Sequence, residues 1–305
     1  MRKIAAILGG LALVVVLAEL GFRATGYFVR PGEAAPDPAA YRILCVGDSS
    51  TYGLGASERE RLGYPGQLQR MLSGANATPV QVVNLGLPGI NSSQALAVLE
   101  SNLGRYRPQL VIVLAGVNDP WNTTGSRILT FYPAGFFRGL ALRARYCVEN
   151  LRLFRFVKLT LLHRPNRFDA ETVAGNDERM PDRREQRDAL YRELKENFAS
   201  MRRAAEREGA SILFLEYHAD GWSNPEVEIH RIYRELGLPF VPLHDFFREL
   251  DRRREPIRSE DRWHPNDEGY RLLAERISNY LDGKLPIRAP RYPEVEDAPW
   301  PTGGR

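Results

Sequence analysis

From Tyr41 onward the chain alternates between two patterns of apolar and polar positions. Residues 42–46, 80–84, 110–114, 211–216 and 240–243 are short apolar runs rich in β-branched side chains, and they predict strands. Residues 65–72, 92–103, 182–208, 225–236 and 265–281 are longer amphipathic stretches that predict helices, three of them opening on proline, which suits the first helical position. The last begins Pro265-Asn266-Asp267-Glu268, acids that complement a positive helix N-terminus. Runs that are continuously apolar predict strands buried on both faces. The fold class is therefore α/β, with a parallel five-stranded sheet covered by helices on both sides. Such a sheet and its helices need about 200–250 residues, so one domain over residues 41–284 takes up nearly everything. Residues 285–305, with five prolines and no apolar periodicity, predict an extended tail.

The N-terminus follows neither pattern. Arg2 and Lys3 precede an unbroken apolar or small run, 4–18, which resumes past Glu19 to Phe22. As a helix, the nineteen residues to Phe22 reach about 28 Å, close to the thickness of a bilayer's hydrocarbon core. Residues 1–22 are thus expected to be a membrane anchor or, with Val16-Leu17-Ala18 as a small-residue cleavage site, a signal peptide. Either expectation puts the body on the extracytoplasmic side, because the positive charges hold the N-terminus inside. Residues 23–40, which include the Pro- and Ala-rich stretch 31–40, read as a linker.

More than sixty residues separate the third strand from the helix near Asp182, far beyond an ordinary connection, so residues 121–180 are expected to be an inserted helical segment. Within it, residues 138–167 carry eight basic side chains against Glu149 alone, a net +7. The whole chain of 305 residues has 42 Lys+Arg against 38 Asp+Glu, a formal charge of only +4. The excess is concentrated in the insertion, which is read as a helical subdomain with solvated arginines, a cap over the active site or a surface resting on anionic lipid. Basic charge scattered among acids elsewhere gives no footprint for nucleic acid. Cys45 and Cys147 exclude a disulfide framework and a zinc cluster; Cys45, inside an apolar run, reads as a buried unreactive thiol, and whether the two pair is left open.

The chemistry gathers at the predicted strand ends. The first strand runs into Gly47-Asp48-Ser49-Ser50-Thr51-Tyr52-Gly53, the second into Asn84-Leu85-Gly86-Leu87-Pro88-Gly89, and the third into Gly116-Val117-Asn118-Asp119. In an open parallel sheet these ends form one edge, where ligands bind. Asp261-Arg262-Trp263-His264-Pro265-Asn266 adds an Asp three residues before a His, close to one helical turn. A serine hydroxyl needs a base to become nucleophilic, and the base needs an acceptor to fix its tautomer, tasks that fit Ser49, His264 and Asp261. Donors for a developing oxyanion are the backbone N–H groups of Ser49 and Gly89 and the side-chain amide of Asn118. Asp48, Asp119 and Asp245 read as holding loops and helix ends. His163, His218, His230 and His244 lack metal-ligand spacing and read as structural or exposed.

In these blocks, over residues 41–281, the sequence resembles the SGNH hydrolase superfamily, the GDSL esterases and lipases. The resemblance implies a flavodoxin-like three-layer α/β/α fold, Ser49 as nucleophile and first oxyanion donor, Gly89 (with Gly86 as the other possibility) and Asn118 as further donors, and an Asp261–His264 pair. Asp261, His264, Pro265, Asn266, Gly269 and Tyr270 match its last block without a gap. The Gly-x-Ser-x-Gly elbow of ordinary α/β-hydrolases is absent. The expected function is a serine esterase or acylhydrolase without metal or cofactor, acting on a small acyl ester, acetylated carbohydrate or lipid ester. Transfer of the acyl group to an envelope carbohydrate, or deacetylation of one, would use the same groups. A catalytically silent envelope carbohydrate-binding protein is the reading from another class.

Overall fold

A computed structural model of the chain describes residues 10, 13–21, 35–120, 122–123, 125–131, 140, 144, 148, 151, 183–218 and 225–292. The chain divides into two compact units, one comprising Met1–Ala35 and Thr123–Glu193, the other Pro36–Asn122 and Leu194–Arg305.

The second unit holds five strands, β1 (Tyr41–Gly47), β2 (Val80–Gly86), β3 (Leu110–Leu114), β4 (Ser211–Leu215) and β5 (Phe240–Val241). They form one sheet in the order β2-β1-β3-β4-β5, and every pairing is parallel. The expected α/β class, with its five parallel strands, is the class observed. From Ser49 onward the described residues form the helices α1 (Ser49–Tyr52), α2 (Arg59–Leu62), α3 (Tyr64–Ala75), α4 (Ser92–Tyr106), α5 (Arg183–Arg207), α6 (Pro225–Glu235), α7 (His244–Arg252) and α8 (Asp267–Leu281). All five residues of β3 are buried, as continuous apolar runs require when a sheet is covered on both faces. Phe198 of α5, Phe214 of β4 and Tyr233 of α6 form an aromatic cluster with ring centroids 5.2–5.4 Å apart.

The start of the last helix differs from the pattern-based expectation. Pro65 is the second residue of α3 and Pro225 opens α6, but Pro265 lies outside α8, where Asn266 is the cap and accepts a hydrogen bond from Gly269 N at 3.0 Å. Pro265 instead pairs with Arg258 in an isolated antiparallel bridge. The short helices α2 and α7 fall outside the expected ones: α2 is a single turn of four residues, and α7 carries its apolar spacing at Leu243, Phe247 and Leu250 over only nine residues. Residues 285–292 are pinned to the domain, with Asn76 exchanging hydrogen bonds with Arg288 backbone and Ile287 and Ala289 buried.

In the first unit, the buried Glu193 carboxylate accepts Ser126 Oγ at 2.7 Å and Arg127 N at 2.6 Å, fixing a 3-10 turn at Ile128–Thr130. Residues 13–21 are helical, with Leu13, Val14, Val16, Leu17 and Leu20 more than half exposed. Among the described residues no helix is long and apolar enough to cross a membrane, and much of the expected span, 1–9, 11–12 and 22, lies outside them. Most of the basic stretch 138–167 and Cys147 also lie outside the described residues.

At the C-terminal edge of the sheet, a Cβ on Gly86 would lie 2.2 Å from Tyr52 N and 2.5 Å from Thr51 C, so glycine lets β2 run against α1. Gly86→Ala is expected to lower stability by about 1–3 kcal/mol through this overpacking, measured by denaturant unfolding. Unchanged stability would mean that α1 has room to move.

Candidate active site

Ser49 lies two residues past β1, at the point where the sheet order reverses between β1 and β3, the place outside the strand ends where open parallel sheets bind ligands. Asp48 caps α1, accepting Ser50 N at 3.0 Å. The Asp48 carboxyl is fully buried, and burial pushes its pKa up to about 6 against the opposing hydrogen bonds from Tyr217 OH and Ser50 N. Its role is the helix-end role expected from sequence.

The His264 loop is brought to Ser49 from the far end of the chain. Tyr270 OH donates to Leu54 O at 2.7 Å, and Asp267 accepts Ser57 N at 2.8 Å and Ser57 Oγ at 2.6 Å, so the start of α8 is stitched to the loop after α1. His264 Nε2 then sits 2.8 Å from Ser49 Oγ, and Nδ1 sits 2.5 Å from Asp261 Oδ2. An ionised carboxylate only accepts, so Nδ1 carries the proton and Nε2 presents its lone pair to the Ser49 hydroxyl. Asp261 is partly buried, which opposes ionisation, but hydrogen bonds from the His264 ring, Ser259 Oγ, and the His264 and Trp263 amides outweigh this and hold its pKa well below the usual carboxylate range. Asp261 is therefore charged throughout the neutral range.

The second and third loops are knitted together. Asn91 caps α4 in a reciprocal box with Gln94, and its amide donates to Asn122 O at 2.5 Å. Asn122 in turn donates to Gly89 O at 2.6 Å. Asp119 accepts Ser92 N at 2.8 Å at the start of α4, again holding a helix end. Asn118 Nδ2 donates to Ile90 O at 3.0 Å, which fixes the amide and leaves its second N–H to donate elsewhere. Gly89 adopts φ 73°, a left-handed conformation open to glycine. Gly86, the alternative donor, is explained by its contact with α1. The expected residues Ser49, His264 and Asp261 meet directly, and Gly89 and Asn118 stand in cross-braced loops at the same sheet edge.

Sequence reading treated His218 only as structural or exposed, and it did not single out Arg258. His218 is fully buried, three residues past β4. Arg258 Nη1 donates to His218 Nδ1 at 2.7 Å, so the proton is on Nε2, which donates to Ser50 Oγ at 3.0 Å. The same guanidinium donates to Trp263 O at 3.1 Å, His218 O at 2.5 Å and both Asp251 oxygens at 3.0 and 2.6 Å. Arg258 thus joins the end of β4, the end of α7 and the loop of Asp261 and His264. No local pattern reveals it, since its partners are 5–40 residues away. His230 bonds Glu216, Asp245 stands exposed in the first turn of α7, and His163 lies outside the described residues. Among the described residues no group of three or more His, Cys, Asp or Glu is placed to hold a metal ion. Cys45 is buried and burial pushes its thiol up to about 12, which keeps it an unreactive thiol.

The profile of the GDSL-like lipase/acylhydrolase family matches residues 45–228, more than half of the chain. The chain belongs to this family. It is an ester-cleaving hydrolase. The matched span contains Ser49, Gly89 and Asn118 but ends before Asp261 and His264, which the fold brings to Ser49. No curated protein matches the sequence. Among solved structures this GDSL hydrolase is similar to TesA, with 21% identity over 80% of this chain and 99% of that one and a TM-score of 0.50. It is also similar to a two-domain esterase active on acetylated mannans, with 19% identity, a TM-score of 0.50, and coverage of 87% of this chain and 54% of that one, so it spans about half of that protein. At these identities the likeness is one of fold.

Burial, and then the Arg258 charge, hold the His218 pKa well below its ordinary value. As pH falls from about 7.5 to about 5.5, the unfolded chain takes up a proton that folded His218 refuses, so stability present above about pH 6.5 is lost. The raised Asp48 carboxyl acts in the opposite sense, its contribution greatest when protonated and lost as pH rises through about 6. His218→Gln removes the first effect and keeps the second, so its melting temperature is expected to fall less than the wild type's over that acid range. Equal falls by calorimetry would show that His218 is not the group responsible.

Proposed function

We propose that this hydrolase cleaves carboxylic esters through an acyl-enzyme formed on Ser49. The observation that carries the reading is the continuous hydrogen-bonded series Ser49 Oγ, His264, Asp261. His264 Nε2 takes the hydroxyl proton as Ser49 Oγ attacks the carbonyl carbon, and Asp261 stabilises the resulting imidazolium. The oxyanion is met by the N–H groups of Ser49 and Gly89 and the free amide hydrogen of Asn118. Ser49 opens α1, so its N–H has no partner within the helix. Collapse of the tetrahedral species returns the proton to the leaving alcohol, and water then cleaves the acyl-enzyme by the same steps in reverse order. The chemistry needs an activated ester carbonyl and no redox step. Acetylated carbohydrate is a suitable ester class, supported by the similarity of fold to the mannan esterase. Ser49→Ala is expected to retain the circular-dichroism spectrum, to lose ester turnover on the order of a thousandfold or more, and to lose labelling by a fluorophosphonate probe. Undiminished turnover or labelling would overturn the mechanism.

The body of the chain is read as extracytoplasmic, held by or exported through residues 1–22. Support comes from the two leading basic residues, the apolar run that follows and the exposed apolar side chains of the helical residues 13–20. Alkaline extraction of cell membranes is expected to leave the full chain in the pellet if the segment is an anchor, or to yield a shortened soluble chain if it is cleaved. A full-length chain found wholly in the cytosolic fraction would overturn the placement.

A further inference from the structure

Next to the Asp261–His264 loop lies an open cleft of about 360 Å³ with an unbalanced charge. Four of its seven lining residues are arginines, Arg248, Arg252, Arg258 and Arg262, against the single carboxylate of Asp251. The arrangement follows from the period of α7. Phe247 and Leu250 are buried, while Arg248, Asp251 and Arg252 project on the exposed side within about one turn. Arg258 and Arg262 close the cleft from the segment that follows.

The charges are not equally committed. Asp251 is used by Arg258, which grips both of its oxygens, and Arg252 donates to Glu249 at 2.7 Å. The side chains of Arg248 and Arg262 have no hydrogen bond or ion pair among the described residues; Arg262 is held through its backbone N–H, which donates to Ser259 O at 2.9 Å. Arg262 holds φ 61°, a left-handed conformation unfavourable for a side chain of its size, between Asp261 and Trp263. Counting its arginines and its one carboxylate, the cleft carries a net +3.

We propose that this cleft binds a phosphoryl group. Two free guanidinium forks present more donors than one carboxylate can take, since a carboxylate has a single pair of oxygens for a single fork. A phosphate monoester has three terminal oxygens and close to two negative charges, enough for both forks and for the remaining imbalance. An uncharged ligand would leave both guanidiniums unmatched. The cleft also shares its walls with the reaction site. His218, which lines it, bonds Ser50 beside Ser49, and Arg262 adjoins Asp261. A phosphoryl group seated there thus lies beside the loop that orients His264. Resting on the esterase reading above, the phosphoryl group is part of the ester substrate, remote from the scissile carbonyl.

The test uses the full chain and inorganic phosphate as probe, titrated calorimetrically in about 0.15 M sodium chloride so that diffuse attraction is screened. Saturable binding is expected, at least tenfold weaker in Arg248→Ala and in the double variant Arg248→Ala/Arg262→Ala. The single variant removes an exposed side chain without a partner and serves where the double variant unfolds. The kinetic arm compares acetoxypropyl phosphate with acetoxypropanol, two esters that differ only in the phosphoryl group. At least a tenfold higher kcat/KM for the phosphorylated ester, lost in Arg248→Ala, supports a substrate-borne phosphoryl group. Phosphate binding without that preference would overturn the substrate assignment and make free phosphate the ligand. Absence of saturable binding, or equal binding by the variants, overturns the site. Failure to hydrolyse either ester while phosphate still binds counts against the esterase reading alone.

Discussion

β1 is hydrogen-bonded to β2 on one side and β3 on the other, and at its C-terminal end the packing leaves no space for a side chain. A Cβ on Gly47 would meet Leu114 O at 2.2 Å and Thr51 Oγ1 at 2.3 Å, and Gly86, its register partner on β2, is equally closed in by α1. These two glycines let three strand ends and a one-turn helix share one small volume. The position of Ser49 at the open edge of the sheet follows from that close approach. A bulkier residue at either place would push α1, and with it Ser49, away from His264.

Around this point the electrostatics are arranged by burial. Asp48 is enclosed beneath α1, and its charge is offset by Tyr217 OH and the Ser50 amide. His218, also enclosed, stays neutral because Arg258 occupies its Nδ1 and no carboxylate faces its Nε2. Asp261 is different: it is solvated enough to remain charged and receives four hydrogen bonds. Two carboxylates near one serine thus acquire opposite tendencies, the buried one drawn toward its neutral form and the hydrogen-bonded one held as an anion. The second arrangement suits a group that faces a histidine.

Arg258 couples this site to the basic cleft. A single planar fork spends its donors on Asp251, His218 and Trp263 O, so the loop of Asp261 and His264 is built against the same wall that presents Arg248 and Arg262 to solvent. Guanidinium geometry permits this, since its donors leave in several directions within one plane; a lysine ammonium at the same place would satisfy fewer partners at fixed orientation.

Legible in the sequence alone were the class of fold, a sheet of five parallel strands, and the loops that carry Ser49, Gly89 and Asn118. Those features are local: continuous apolar runs require two-sided burial, and a loop that follows a parallel strand emerges at a known edge. The pairing of Asp261 with His264 was legible too, because it spans three residues. The boundary of α8 was misjudged because Asn266, rather than Pro265, supplies the cap, and α7 was missed because its nine residues give the apolar spacing of Phe247 and Leu250 little length over which to repeat. Only the tertiary structure decided that His264 reaches Ser49 across 215 residues, that His218 and Arg258 stand behind the site, and that Arg248 and Arg262 face one cleft. The physical reason is the same in each case. These contacts join side chains from separate elements, whose meeting depends on how α7, α8 and the end of β4 pack, and no periodicity along the chain encodes that packing.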